Sequence, residues 1–251
     1  MDKEIPKISV IIPAKNEEKY IVNTLKSIFE SNYKDIENIE VVVVANGCKD
    51  KTVEKANSLK DKRIKVYEAN TSSIAAARNF GAKKIVGFEK REDLSSASNE
   101  DIFVFLDADT TISKNCLKEI EKSLRKNNKT VGTLKIKPDN NKIRAKVMMG
   151  LKNLMITVFF FVPTSNGIIF CSRKMYEQLG GFDESLKQQE DGKFIRAGAR
   201  KGKFRFIKNA YVISSMRRYE KYGYIGIPLY WIKESFLRMF RRRKKDYEIV
   251  R

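Results

Sequence analysis

The chain has 251 residues, 42% of them apolar, enough for a sizeable core and too many for a disordered chain. Lys and Arg number 51 against 31 Asp and Glu, a net charge of +20 that favours an anionic partner such as nucleic acid, anionic lipid or a phosphorylated substrate, although a solvated lysine-rich surface accounts for part of it. Histidine is absent, which excludes a Ser-His-Asp triad, a His-ligated zinc site and an imidazole base, and leaves acid–base work to Asp, Glu, Lys, Tyr or Cys.

The N-terminus runs straight into "ISVIIP" without a signal-peptide pattern. Cys48, Cys116 and Cys171 are odd in number and far apart, which argues against a disulfide framework and suits a reducing compartment. Ile8–Ile12 reads as a strand and Glu17 to about Phe29 as a helix. Glu40–Val44 is the next strand, with helix signals from Asp50 to Leu59. Ile64–Tyr67 is a short strand, Ser72–Val86 a helix, Ile102–Leu106 a strand and Lys114–Arg125 a helix. Continuous β-branched runs alternating with helices predict an α/β, Rossmann-like fold whose parallel sheet is covered on both faces. The charged, Ser-rich segment Glu89–Asp101 reads as an exposed loop.

Sheets of this kind bind ligands at the carboxyl ends of their strands, and there the polar residues cluster: "PAKNEE" after the first strand, "ANGCKD" after the second, "DADT" after the fourth. Each alone is compatible with turn chemistry. The acids Asp107 and Asp109 can cap the next helix, hold a metal ion or work as an acid–base pair. Neither G-x-G-x-x-G after strand one nor a P-loop occurs, which disfavours a dinucleotide oxidoreductase and a P-loop nucleotidase.

After Lys142 the pattern changes. A helix-like run, "KIRAKVMMGLKNLMITVFFF", contains the start of the longest apolar stretch, Leu154–Pro163, which is too short to span a bilayer. A strand in "PTSNGIIFCSRK", the motif "LGGFDE", a helix from about Gln188 to Ala199 and two short strands near Phe204 and Val212 follow. The end of the chain mixes Tyr230, Trp231, Phe236, Leu237 and Phe240 with the basic cluster "RMFRRRKK". This composition fits a helix on an anionic membrane surface, or equally a helix packed on the core with a solvated basic tail.

The ordered pieces "SVIIPAKNEE", "VVVVANGCKDKT", "AAARNFGA", "FLDADT", "LGGFDE" and "QEDGKFIRAG" together resemble the family-2 glycosyltransferases of GT-A fold, from about Ile8 to Ser215. The resemblance implies residues 1–215 as a catalytic domain (1–112 the nucleotide-binding half, 113–215 the acceptor half) and 216–251 as a basic aromatic extension. It implies transfer of a sugar, usually with inversion, from a nucleotide-sugar donor, UDP or GDP above all. Asp107 and Asp109 match the D-x-D that holds a divalent metal, Mn²⁺ or Mg²⁺, and the donor ribose; hard cations take oxygen ligands. Ala108 permits close approach of the donor. Pro13, Ala14, Glu17 and Asn46 line the nucleoside pocket, with Asn46 where many relatives carry an Asp, so that the base is left open. Arg78 and Asn79 match the nucleotide-side helix, with a structural ion pair as the alternative for Arg78. Asp191 matches the general base and Glu190 its neighbour, which positions a partner; helix-start acids favoured by the macrodipole are the alternative. Gly181, Phe182 and Asp183 match the loop beneath the acceptor, Asp183 being equally readable as a turn residue. Arg217 and Arg218 are read as a diphosphate clamp or a solvated charge pair.

The acceptor implied is a glycan or lipid-linked sugar at the cytoplasmic face of a membrane, with the chain cytoplasmic and peripheral on that inner face. A polyprenyl phosphate acceptor is the alternative. A nucleotidyltransferase normally shows a glycine-rich basic loop after strand one, which "PAKNEE" is not. A specific nucleic-acid binder needs a base-reading or stacking module, and none is legible.

Overall fold

The computed structural model describes residues 6–85, 101–158, 165–186, 188–224 and 226. The first seven elements of the predicted order hold: β1 (Ile8–Ala14) is followed by α1 (Ile21–Phe29), β2 (Ile39–Asn46), α2 (Thr52–Asn57), β3 (Ile64–Ala69), α3 (Ile74–Lys83) and β4 (Ile102–Leu106). These four strands are mutually parallel, in the order β3-β2-β1-β4, with Ile8 in register with both Ile39 and Ile102. Successive residues face opposite sides. Val10 and Ile12 pack with Ile21, Leu25 and Ile28 on one side, and Ile11, Val42 and Val44 with the alanines of α3 on the other. Both faces are therefore apolar, and the strands read as unbroken runs.

Past β4 the sheet is mixed. β7 (Ile168–Ser172) lies antiparallel to β4, β6 (Thr130–Pro138) antiparallel to β7, β8 (Lys203–Ser214) parallel to β6, and β5 (Thr110–Ile112) antiparallel to β8. Parallel pairings still prevail in the sheet as a whole, and the antiparallel ones are confined to this half. The two strands expected near Phe204 and Val212 are one strand. Leu134 pairs Ile207 and Lys135 pairs Tyr211, so residues 208–210 bulge out, and their polar "KN" mimics a break. Strands β5 and β6 were not expected. The buried start of β6 is Thr130, Val131, Gly132, Thr133 and Leu134, which lacks an apolar run. Thr133 donates from Oγ1 to the Ile168 carbonyl at 2.7 Å, and a Cβ on Gly132 would lie 2.4 Å from the Arg205 carbonyl.

The other helices are α4 (Cys116–Lys126), α5 (Ile143–Val158), α6 (Arg173–Leu179), α7 (Glu190–Lys201) and α8 (Arg217–Tyr222). α4, α5 and α7 begin one or two residues later than predicted, and α6 and α8 were not predicted. The loop Glu89–Asp101, apart from Asp101, lies outside the described residues, as do Phe159–Pro163 and the aromatic and basic cluster from Tyr230 onward. No helix among the described residues is long and apolar enough to cross a membrane.

Candidate active site

The parallel register brings the carboxyl ends of β1, β2 and β4 to one edge, and the loops leaving them interlock. The Glu17 amide donates to Thr52 Oγ1 at 2.7 Å, the Glu18 amide to Asp50 Oδ2 at 3.1 Å and the Lys49 amide to Asn16 Oδ1 at 2.8 Å. Asn16 takes φ 58°, a left-handed conformation that Asn tolerates. Burial alone would raise the Asp50 carboxyl, but the Thr52 hydroxyl and three backbone amides hold it below its ordinary value. Asp50, which carries no motif of its own, is thus the clasp between two site loops. Pro13 and Ala14 end β1 and are buried. Asn46 is also buried, and its Oδ1 accepts from the Thr71 amide at 2.7 Å. That oxygen braces the chain behind β3.

Asp107, Ala108 and Asp109 follow β4. The Ala108 carbonyl accepts from Thr24 Oγ1 at 2.8 Å, which fixes the backbone between the two acids. Arg78 donates from Nη2 to Asp107 Oδ1 at 3.0 Å and from Nη1 to Glu190 Oε1 at 2.8 Å. Its guanidinium lies 5.2 Å from the Phe182 ring centre. Arg78 reaches this position because α3 sits close on the sheet: a Cβ on Gly81 would approach Ile11 Cγ2 to 2.6 Å. Burial disfavours its charge, but Asp107, Glu190 and Asp191 more than compensate. Burial also raises the Glu190 carboxyl, against the pull of Arg78. The ion-pair alternative for Arg78 is what the geometry shows, and Glu190 is its partner.

Asp109 is held from the other side. One nitrogen of Arg217, Nη2, donates to Asp109 Oδ2 at 3.0 Å and to Glu17 Oε1 at 2.6 Å, while the guanidinium covers the Tyr20 ring at 4.7 Å. Burial and the neighbouring Asp107 charge push the Asp109 carboxyl up to about 6, with Arg217 pulling it down. Arg217 therefore meets carboxylates, not a clamp geometry with Arg218, whose side chain is exposed.

Asn79 does not face the donor pocket. Its Nδ2 donates to the Phe182 carbonyl and to Glu184 Oε1, both at 2.8 Å. Its Oδ1 accepts from the Tyr176 hydroxyl at 2.9 Å and the Phe182 amide at 2.8 Å. All four bonds an amide can make thus go to the protein, which corrects the nucleotide-side assignment. What Asn79 holds is the "GGFDE" loop. A Cβ on Gly181, at φ 77°, would lie 2.7 Å from Asn79 Oδ1. Phe182 is buried and stacked on Phe194 at 4.3 Å. Asp183 behaves as the turn residue of its alternative reading. It accepts from the Ser185 amide at 3.0 Å, the Ser185 hydroxyl at 2.6 Å and the Lys193 ammonium.

Asp191 is the second residue of α7, half-buried, and makes no ion pair among the described residues. Its charge acts on Arg78, Glu190 and Lys152. Lys152 was not anticipated. It comes from α5, where burial lowers its pKa and the charges of Asp191 and Asp107 oppose that fall. A single lysine in an apolar helical run carries no sequence signal of this kind.

Among the described residues no three His, Cys, Asp or Glu side chains converge on a point. A self-contained metal cage is therefore not what these residues build. Two carboxylates on one short loop do fit an ion shared with substrate phosphates, the usual arrangement for Mg²⁺. Glu17 adds a buried oxygen, Oε2, with no hydrogen-bond partner.

The sheet order and the acid-lined carboxyl edge define an α/β protein with a carboxylate-rich site at its strand ends. A model of the family described as Glycosyl transferase family 2 matches residues 9–178, and the chain belongs to that family. It is 33% identical over 118 residues to an uncharacterised glycosyltransferase of Haemophilus influenzae, covering 46% of this chain and 41% of that protein. It is 27% identical over 210 residues to one from Rickettsia typhi, covering 77% and 60%. The aligned parts span less than two thirds of these relatives. Among solved structures, Staphylococcus aureus TarS superposes with a TM-score of 0.62 at 22% identity, covering 83% of this chain and 60% of that one. A Pyrobaculum calidifontis mannosyltransferase, solved with GDP-Man and Mn²⁺, gives 0.63 at 19% identity, covering 84% and 57%. Both likenesses establish the GT-A fold.

Proposed function

We propose that the chain transfers a sugar from a nucleoside-diphosphate sugar to an acceptor hydroxyl, with inversion and with a divalent metal at Asp109 and Asp107. One observation supports the reading: Arg78 joins Asp107 of the D-x-D pair to Glu190, the residue beside Asp191, which makes no ion pair among the described residues. Solved neighbours hold UDP, UDP-GlcNAc or GDP-Man, which supports a nucleotide-sugar donor.

A bound Mn²⁺ or Mg²⁺ would neutralise the diphosphate and make it a better leaving group. Asp109 is the principal ligand and Asp107 the second, its orientation fixed by Arg78. Pro13, Ala14 and Asn46 flank the nucleoside. Arg217 and Lys152 offer cations at the diphosphate. Asp191 removes the proton from the acceptor hydroxyl as it attacks, because its neighbour Glu190 is committed to Arg78 and no histidine exists to do so. The acceptor in this reading is a glycan or lipid-linked sugar at the cytoplasmic membrane face, with the chain peripheral there. Lys152 beside Asp191 favours one second reading, a polyprenyl phosphate acceptor, which is already an anion and needs no base.

Asp191→Asn separates the two. A hydroxyl acceptor predicts transfer reduced by about 10²–10⁴-fold with donor binding intact by calorimetry. Near-normal turnover with a lipid phosphate would establish the second reading, and near-normal turnover with a sugar hydroxyl would remove Asp191 as base.

A further inference from the structure

Helix α5 carries its apolar side chains outward. Ile143 is 80% exposed, Val147 55%, Leu151 51%, Leu154 56% and Met155 53%. At 3.6 residues per turn these five share one face, while Ala145, Met149 and Ile156 on the opposite face are buried in the core. The helix is fastened to the sheet by Asn153, which accepts from the Ile136 amide at 2.9 Å and donates to the Ile136 carbonyl at 2.8 Å. Its outward face is thus fixed, and monomeric proteins seldom expose so continuous an apolar strip.

The charge around the strip selects what covers it. Helix α5 contains no Asp or Glu. Arg144 and Lys146 are exposed beside the apolar residues, with Arg144 4.9 Å from the Tyr224 ring centre. Lys142, just before the helix, is paired with Glu220. A second copy docking two-fold on this face would bring a second Arg144 and Lys146 to the interface with no acid on either helix to pair them. The C-terminal stretch places six Arg and Lys between residues 238 and 245, again the same sign. An anionic lipid surface complements both the apolar strip and its basic flank.

We propose that α5 is a membrane-docking helix that lies in the interface of an anionic bilayer, with Ile143, Val147, Leu151, Leu154 and Met155 among the acyl chains and Arg144 and Lys146 at the phosphates. The same helix carries Lys152, on which the charges of Asp107 and Asp191 act, so docking would set the site near the lipid surface. This gives a surface to the membrane-facing acceptor proposed above. It rests on that reading for the origin of the acceptor, not for the docking itself.

The test is co-sedimentation of the full chain with vesicles of phosphatidylcholine alone or mixed with phosphatidylglycerol, at low and high salt. The wild type should bind the mixed vesicles and not the neutral ones. Val147→Ser/Leu151→Ser/Leu154→Ser, with its fold checked by circular dichroism, should lose about tenfold or more of that partition. Arg144→Gln/Lys146→Gln should weaken it and flatten its salt dependence. Wild-type binding by the triple serine variant would place the lipid contact elsewhere in the chain and overturn the proposal. So would no binding by the wild type, or a wild-type dimer that the serine variant converts to a monomer. Donor binding by both proteins in calorimetry is the separate readout. Its absence in both would defeat the transferase reading, while lipid binding still decides the docking.

Discussion

Asp107 and Asp109 stand two residues apart, yet the arginines that hold them come from opposite regions of the fold. Arg78 belongs to α3 in the parallel half. Its side chain is 5% exposed, and it joins Asp107 to a Glu190 that is itself 8% exposed. Arg217 belongs to the short α8 after the last strand. Its side chain is 25% exposed, and a single nitrogen serves both Asp109 and Glu17. The chemistry is the same, but the surroundings differ. A buried ion pair that loses one partner leaves an uncompensated charge in the interior, whereas solvent screens a half-exposed one. The Arg78 bridge is therefore architecture, tying the D-x-D loop to the helix that carries Asp191. The Arg217 bridge is the more open of the two, and in the proposed function it is the end of the pair at which a metal ion would enter.

The contrast is open to direct attack. Arg78→Met should give the largest loss, about 3–5 kcal/mol of stability in urea unfolding, because Glu190 is left buried and charged. A loss near zero would mean that Glu190 simply protonates and that the bridge is not a keystone. Arg217→Gln should cost less than Arg78→Met, because the Arg217 side chain is 25% exposed, although Glu17 and Asp109 at 8% and 16% keep the loss above that of a surface pair. Because the variant removes the cation resident between Asp109 and Glu17, it should bind Mn²⁺ more tightly, by several-fold in an electron paramagnetic resonance titration. Unchanged or weaker Mn²⁺ binding would contradict exchange at this end.

The smallest effect lies at Asp183, on the acceptor-side loop. Lys193 and then Ser185 hold its carboxyl down to about 2, from an ordinary 3.8. A depressed carboxyl stabilises the fold above its unfolded value and loses that contribution as pH falls through the folded one. The stability difference between the wild type and Asp183→Asn should thus be present above pH 4 and vanish toward pH 2. It should stay below about 1 kcal/mol, since the group is partly exposed.

The parts of this arrangement that were legible in the sequence are those whose partners are local or whose environment is uniform. β1, β2 and β4 are buried on both faces and read as apolar runs, and the acids that follow them stand out against those runs. The bridges were harder to read. Arg78 and Glu190 are 112 residues apart, Arg217 and Glu17 200, and no spacing rule connects them. Asn79 sat in a family-like motif, yet its four hydrogen bonds close on a loop about a hundred residues away, so its brace role emerged only from the fold. β6 hid behind Thr and Gly that are buried for lack of room, and β8 behind a polar bulge. Lys152 gave no signal because a lysine in an apolar helix reads as a solvated residue until the helix's position is known. The apolar character of α5 was legible, but not which of its side chains the sheet covers.

The central claim is that Asp109 and Asp107 form the metal and diphosphate corner of a nucleotide-sugar site. Thermal unfolding of the wild type and Asp109→Asn, each with UDP- or GDP-sugar in the presence and absence of Mn²⁺, tests it most directly, since a ligand that binds the native state raises its apparent stability. The account predicts a metal-dependent upward shift with at least one nucleotide sugar in the wild type and its loss in Asp109→Asn. An equal shift in the variant, or no shift with either nucleotide sugar when metal is present, would contradict it.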